Sequence, residues 1–212
     1  SDHGMPFPFA KTAMYYHSSH TPLMVRWPGV TKGGAVDDEH VVGMVDTMPT
    51  LLEAVGIPAP EGIDGRSWGS ILKGGKQEGR EFTYTMYEMN VGGNCQPMRA
   101  VVSKDHTYIC NLWSDGERKF ATATKGMATT SEMFRLAEEG DEYMKQRADL
   151  FTYSVPEQFF DVTKDADGLN NLIDNPEYNQ LIKKHQKQME TFMKVSQDPM
   201  KEIYPKRTDA SA

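Results

Sequence analysis

The sequence predicts an α/β chain in two parts. Residues 1–76 form an α/β portion, and residues 77–204 a small α+β subdomain with an antiparallel sheet and a terminal helix; a disordered tail follows at 205–212. Three observations predict this. In the first part a short β-rich apolar run precedes a capped helical stretch. In the second, segments prominent in Thr, Tyr, Val and Ile are separated by a short turn, as in hairpins. The chain then closes on a long stretch with helical apolar spacing.

The elements follow in order. Asp2 and His3 open the chain, with Gly4 behind them. A carboxylate and an imidazole on one turn are a metal-ligand pair, and glycine lets the backbone bend sharply there. In a parallel α/β sheet such a pair stands at the carboxyl end of a strand, and that strand is expected to precede Ser1. Thr21 to Trp27 reads as a buried strand ended by Pro28-Gly29. His40 to Val45 is a second short strand or an extended lead-in. Asp46 caps a helix running to Val55, with Pro49 in its first turn and Gly56 as its stop. Leu51, Leu52 and Val55 are its expected core face. Lys73-Gly74-Gly75-Lys76 marks the boundary between the parts.

Beyond it, Glu81 to Glu88, Arg99 to Ser103 and Thr107 to Leu112 read as antiparallel strands, the last two joined at Asp105-His106. Ser114 to Gln146 is a polar excursion with a helix near Ser131 to Glu139. Phe159 to Val162 is a further strand. A final helix starts at Pro176 under an Asn175 or Asp174 cap. Its stripe comprises Tyr178, Leu181, Ile182, His185, Met189, Phe192 and Val195, with His185 a core-edge histidine. Tyr204 to Ala212 is expected to fray.

Composition removes several function classes. The 212 residues are 38% hydrophobic and 25% charged, with a net charge of −7. That balance opposes non-specific nucleic-acid binding, which needs a basic face. A polyanionic ligand would have to be held by a local basic patch or a metal. No apolar run is long enough to span a bilayer. The two cysteines, Cys95 and Cys110, could pair or stay free.

Asp2-His3-Gly4, Lys11, Tyr15 and Pro22-Leu23-Met24-Val25-Arg26-Trp27-Pro28-Gly29 together resemble the second half of a formylglycine-dependent sulfatase, of the alkaline-phosphatase-like superfamily. Met5-Pro6-Phe7-Pro8 and Pro97-Met98-Arg99-Ala100-Val101 are similar to the N-sulfoglucosamine sulfohydrolase (heparan sulfamidase) branch. Val45-Asp46-Thr47-Met48-Pro49-Thr50-Leu51-Leu52, Gly56-Ile57-Pro58, Asp64-Gly65-Arg66-Ser67 and Phe160-Asp161 to Leu172 extend the likeness through most of the chain. Two departures stand out. Tyr16-His17-Ser18-Ser19-His20 replaces a Gly-rich segment, and Gly168 or Leu169 stands where the family has a glutamate.

The resemblance implies sulfate ester or sulfamate hydrolysis on N- or O-sulfated glucosamine of heparan-type glycans. It implies a divalent cation, calcium with magnesium or manganese as alternatives, held by Asp2 and His3. It makes Lys11 the catalytic cation and His17, His20 and Arg99 substrate contacts. The formylglycine would lie in a missing N-terminal half of the same protein, a partner alongside the sulfated glycan or small sulfated sugar. It further implies no nucleic-acid or membrane partner, self-association through uncovered apolar faces, and a periplasmic or secreted location, lysosomal in a eukaryote. The competing readings are a metal-dependent phosphodiesterase or pyrophosphatase of the same superfamily and a non-catalytic glycan-binding fragment. A two-zinc site would need a downstream Asp/His array that His17, His20, His40, His106 and His185 do not form.

Cys95-Gln96-Pro97-Met98-Arg99 fits the C-x-P-x-R pattern from which formylglycine is made. It is a decoy: the family's signature precedes the D-H-G pair and runs on into a Leu-Thr-Gly stretch opening a helix, which Ala100 to Thr107 lacks. Cys95 is accordingly expected to be an ordinary loop cysteine.

Overall fold

The computed structural model describes residues 6–11, 13–90 and 92–208. Contacts divide the chain into two compact units. The described residues up to Pro22 cluster with those from Thr85 onward, and Leu23–Tyr84 form the other unit. A single cut at Lys73–Lys76 therefore does not describe the division, because the N-terminal stretch is built into the C-terminal block.

The Leu23–Tyr84 unit is organised by one buried carboxylate. Thr47–Ala54 (α2) follows a 3-10 turn at Met44–Asp46, and Gly69–Leu72 (α3) is a short second helix. Asp46 is expected to cap α2, but its side chain makes no cap bond there. Instead Asp46 Oδ2 accepts from Gly43 N at 2.8 Å and Oδ1 from Arg66 N at 2.8 Å, and Arg80 pairs with it. A buried charge needs such saturation. Thr50 Oγ1 donates to Asp46 O at 2.7 Å and accepts from Trp68 N at 3.1 Å, which joins α2 to α3. Gly65 is obligatory here: a Cβ on it would lie 2.0 Å from the Val45 carbonyl oxygen. The family-like V-D and D-G-R-S segments are thus the two sides of one contact.

The strand expected at 21–27 does not form, and of the two readings of 40–45 the strand does not form either, while Gly43 is extended ahead of the 3-10 turn. Strands exist through inter-strand hydrogen bonds, and no neighbour pairs with these residues among the described ones. Met24 is 87% exposed, and Leu23 and Val25 are exposed too. Leu51 and Val55 also face outward, so α2 buries Pro49 and Thr50 rather than the predicted face.

The other unit begins with the helical turn Tyr16–Ser19 (α1) and carries a four-stranded sheet. Its strands are Thr83–Met89 (β1), Cys95–Val102 (β2), His106–Asn111 (β3) and Glu157–Asp161 (β4), in the order β1-β2-β3-β4. β2 and β3 pair antiparallel with Arg99 opposite Cys110, and β3 and β4 with Tyr108 opposite Phe159. Between β3 and β4 lie Ala128–Glu138 (α4) and Glu142–Tyr153 (α5), the second of which the sequence reading did not anticipate. Pro176–Tyr178 is a 3-10 turn under Asn175, whose side chain accepts from Glu177 N, and it leads into Asn179–Val195 (α6).

Strand alternation assigns the two faces. Met98, Ala100, Ile109 and Phe160 pack with Ala13, Met14, Tyr15, Trp113 and Phe120. α6 packs against β2 and β3 and buries Ile182, His185, Met189 and Met193. The predicted stripe is corrected at Val195, which is 78% exposed, because the seam turns toward Met193.

The expected fraying is also corrected over residues 204–208, the part of it that is described. Tyr204 is buried, its hydroxyl 3.0 Å from that of Tyr108, and Arg207 Nε donates to Glu157 Oε1 at 2.7 Å. Asp198 is buried too and grips Arg99. The segment after α6 is a strap over the sheet.

His185 is the core histidine expected of it. Its Nδ1 bonds the Leu181 carbonyl at 2.8 Å, and its Nε2 lies 3.2 Å from Ser103 Oγ. Burial is the main cause that pushes its pKa down from 6.5 to about 4, with the neighbouring His106 and Lys184 adding to it. The unfolded chain therefore binds this proton below pH 6.5, whereas the folded one holds out to about 4. Stability should fall as pH drops through that window, by up to roughly 3 kcal/mol. Urea titrations at several pH values should show a shallower decline for His185→Gln than for the unsubstituted chain; equal slopes would rule His185 out as the cause.

Candidate active site

The stretch from Pro6 to His20 is seated on the sheet by residues far away in sequence. Tyr15 is the centre of the seat. Its hydroxyl accepts from Gln158 Nε2 at 2.7 Å, and its ring lies 5.4 Å from that of Phe160. Burial, the largest influence, pushes the phenol up to about 12, although the Gln158 bond and Arg147 work against it. A neutral, anchored phenol is a support rather than a base. Met14 Sδ accepts from Thr85 Oγ1 at 3.3 Å. Gly168 lies under the Tyr15 ring with φ +60°, where an added Cβ would stand 2.8 Å from Tyr15 Cδ1. The departure at this position is thus steric: any side chain would displace Tyr15.

Lys11 is half-buried on this seat, in a pocket lined also by Phe9, Tyr15, Met98, Trp113 and Phe120. A cation beside so many apolar side chains interacts more strongly with an anion than it would in open water. His17 Nε2 lies 2.8 Å from Asp167 Oδ1, with both side chains more than half exposed. His20 is exposed and stacks on Tyr16 at 4.5 Å. His17 on α1 and His20, just past its end, therefore stand at the surface of the unit that holds Lys11.

Arg99 is a correction. It is fully buried, and each of its N–H groups is engaged. Nε donates to Asp198 Oδ2 at 2.6 Å and Nη2 to Asp198 Oδ1 at 3.0 Å. Nη2 also pairs with Glu88, and Nη1 donates to the carbonyls of Met98 and Tyr87. Nothing remains for a substrate. Strand alternation put Arg99 on the α6 face, and a partner 99 residues away consumed it.

Cys95 is exposed at the start of β2 and Cys110 is buried, both as free thiols. Burial pushes the Cys110 thiol well above its ordinary range. The C-x-P-x-R match thus lies along a strand whose arginine is fully committed.

Asp2 and His3 lie outside the described residues. Among the described residues no group of three or more His, Cys, Asp or Glu is placed to hold a metal ion. No helix among them is long and apolar enough to cross a membrane. Trp68 and Trp113 are buried and Trp27 half-buried, so they build no exposed platform for a sugar.

Sequence reasoning singled out Lys11 and the two histidines but missed their supports. Gln158, Asp167 and Gly168 come from the β4 end of the chain. The one local signal was the departure at Gly168, a glycine where the pattern has a long side chain.

Comparison with known proteins concerns the family and the fold. Residues 2–120 match the model of the N-sulphoglucosamine sulphohydrolase C-terminal family. An ulvan-active sulfatase of Formosa agariphila is 26% identical over 193 residues, which cover 91% of this chain and 32% of that protein. Arylsulfatase K of Xenopus laevis is 26% identical over 188 residues, 89% of this chain and 32% of that protein. The chain thus spans about a third of the length of these curated relatives. Among solved structures, BT4656 in complex with its substrate D-glucosamine-2-N,6-O-disulfate superposes with a TM-score of 0.61 at 19% identity, over 88% of this chain and 31% of that one. The phosphonate monoester hydrolase SpPMH of Silicibacter pomeroyi gives 0.56 at 18% identity, over 87% and 31%. At these identities the structural likeness concerns the fold.

Proposed function

The chain belongs to the N-sulphoglucosamine sulphohydrolase C-terminal family, and from that premise we propose that it is the C-terminal portion of a sulfatase acting on N- or O-sulfated glucosamine of heparan-type glycans. The observation that carries the reading is the family match over residues 2–120, which spans the D-H-G triplet, Lys11 and the loop seated by Tyr15. The solved relative with a doubly sulfated glucosamine as its substrate supports the substrate class. A substrate of this kind lies outside the cytoplasm, so the protein works in the periplasm, outside the cell or, in a eukaryote, in the lysosome.

Asp2 and His3 would contribute to a divalent-cation site. A carboxylate and an imidazole fit such an ion; calcium prefers oxygen donors, so magnesium and manganese suit the pair as well. When bound, the cation polarises the sulfuryl oxygens. Lys11 neutralises charge on those oxygens from its half-buried pocket. His17 on α1 and His20 at its C-terminal end would meet the sugar. The nucleophile is not Cys95, because the arginine of its motif is spent inside the sheet. It belongs to the remainder of the full-length protein.

The test is turnover by the full-length protein, read as sulfate release from N-sulfoglucosamine and an aryl sulfate and as phenol release from an aryl phosphonate monoester. Sulfated substrates should be turned over with a requirement for divalent metal, and Cys95→Ala should stay within a few-fold of the unsubstituted protein. The 212-residue chain alone should release none. Preference for the phosphonate, or loss of turnover in Cys95→Ala, would sink the reading.

A further inference from the structure

Phe9 is held in a conformation that side chains other than glycine seldom adopt, with φ +63°. It follows Pro8, and Ala10 N donates to Phe7 O at 3.1 Å. Proline second and a left-handed residue third is the arrangement of a type II turn, whose third position favours glycine. A phenylalanine in that place is retained only where its ring is firmly held.

The ring is held from three sides. Phe151 of α5 meets it edge-on at 5.7 Å, and Tyr15 does so at 5.3 Å. The Arg147 guanidinium carbon lies 3.9 Å from the ring centroid. Phe9 thereby packs against the sheet-face cluster around Trp113 and Phe160, and also against the helical cluster of Met133, Ala148 and Phe151. Arg147 Nη1 also donates to Gly168 O at 3.4 Å, in the loop beneath Tyr15. One guanidinium therefore spans the strained residue Phe9, two positions before Lys11, and the loop beneath Tyr15, four positions after it.

We propose that Arg147, acting through Phe9, is a positioning residue that fixes Lys11 in the site. The proposal rests on the reading of Lys11 as the sulfate-binding cation. A cation over an aromatic face is a directional contact, and a displacement of about 1 Å at a reacting centre can cost as much as 10²-fold in rate.

The test is a double-mutant cycle in the full-length enzyme, assayed on N-sulfoglucosamine and an aryl sulfate. Arg147→Leu should lower kcat about 10-fold with KM within two-fold and little change in melting temperature. Phe9→Gly, which relieves the backbone while removing the ring, should behave alike. If Arg147 works through Lys11, adding Arg147→Leu to Lys11→Ala should cost nothing more. The same 10-fold loss in both backgrounds, or unsubstituted turnover in Arg147→Leu beside an impaired Lys11→Ala, would overturn the proposal while leaving the functional reading in place. Unsubstituted turnover in Lys11→Ala would overturn the proposal together with the role of Lys11.

Discussion

Replacing Lys11 with alanine in the full-length enzyme should lower turnover by about 10²-fold or more, with folding unchanged. Lys11 follows the Asp2-His3 pair across a stretch that cannot be helical at Pro6 and Pro8. The turn at Phe7–Ala10 reverses the chain just before it, and Tyr15 pins the chain just after it. The ammonium is thus carried on a short span fastened at both ends and walled by Phe9, Trp113 and Phe120. A preorganised cation in such surroundings needs no rearrangement as negative charge grows on the transferring group. A 10²-fold loss corresponds to about 2.7 kcal/mol of barrier, ordinary for one charge-stabilising group. Steady-state kinetics would decide it. Turnover within a few-fold of the unsubstituted enzyme would remove Lys11 from the site.

The other large effect is on stability. Arg99→Leu should cost about 3–5 kcal/mol, because it leaves the Asp198 carboxylate buried and unpaired. Both side chains are 1% exposed. Glu88, by contrast, is 45% exposed and can turn to water. Burial alone would raise the Asp198 pKa, but the Arg99 bonds and the Met200 amide outweigh it and hold the carboxyl below its ordinary value. Its contribution is therefore present above the usual carboxylate range and is lost as pH falls below it. Removing the whole pair, as Arg99→Met with Asp198→Leu, should recover most of the loss, since a buried pair is often replaceable by apolar groups of like volume. Denaturant midpoints of the two variants provide the measurement. A midpoint for Arg99→Leu equal to that of the unsubstituted chain would show that the buried pair contributes nothing.

What the sequence made legible follows from what is local. The hairpin of β2 and β3, the strand at Phe159 and Phe160, and the final helix under Asn175 are written in propensities and caps, and they form where expected. The segment 21–27 looks no less strand-like, yet forms none, because its hydrogen bonds need a neighbour that no local pattern supplies. α5 was hidden by its charge: it buries only Ala148 and Phe151, too few to mark an apolar stripe. At the candidate site, Lys11 and the histidines were legible as residues on a motif. The roles of Arg99, Gln158 and Asp167 were not, because each depends on a partner about 100 or more residues away.

The separation between Tyr15 and Gln158, 143 residues, also orders events at the ribosome. The stretch bearing Lys11 is translated well before β4, so its seat does not exist until β4 has emerged. The strap that grips Arg99 through Asp198 and Tyr108 through Tyr204 emerges later still. Contacts so distant along the chain close slowly, and domains complete as units. The loop bearing Lys11 is therefore translated before it can be shaped, so a nascent chain arrested before residue 158 carries the residues of the candidate site without its geometry.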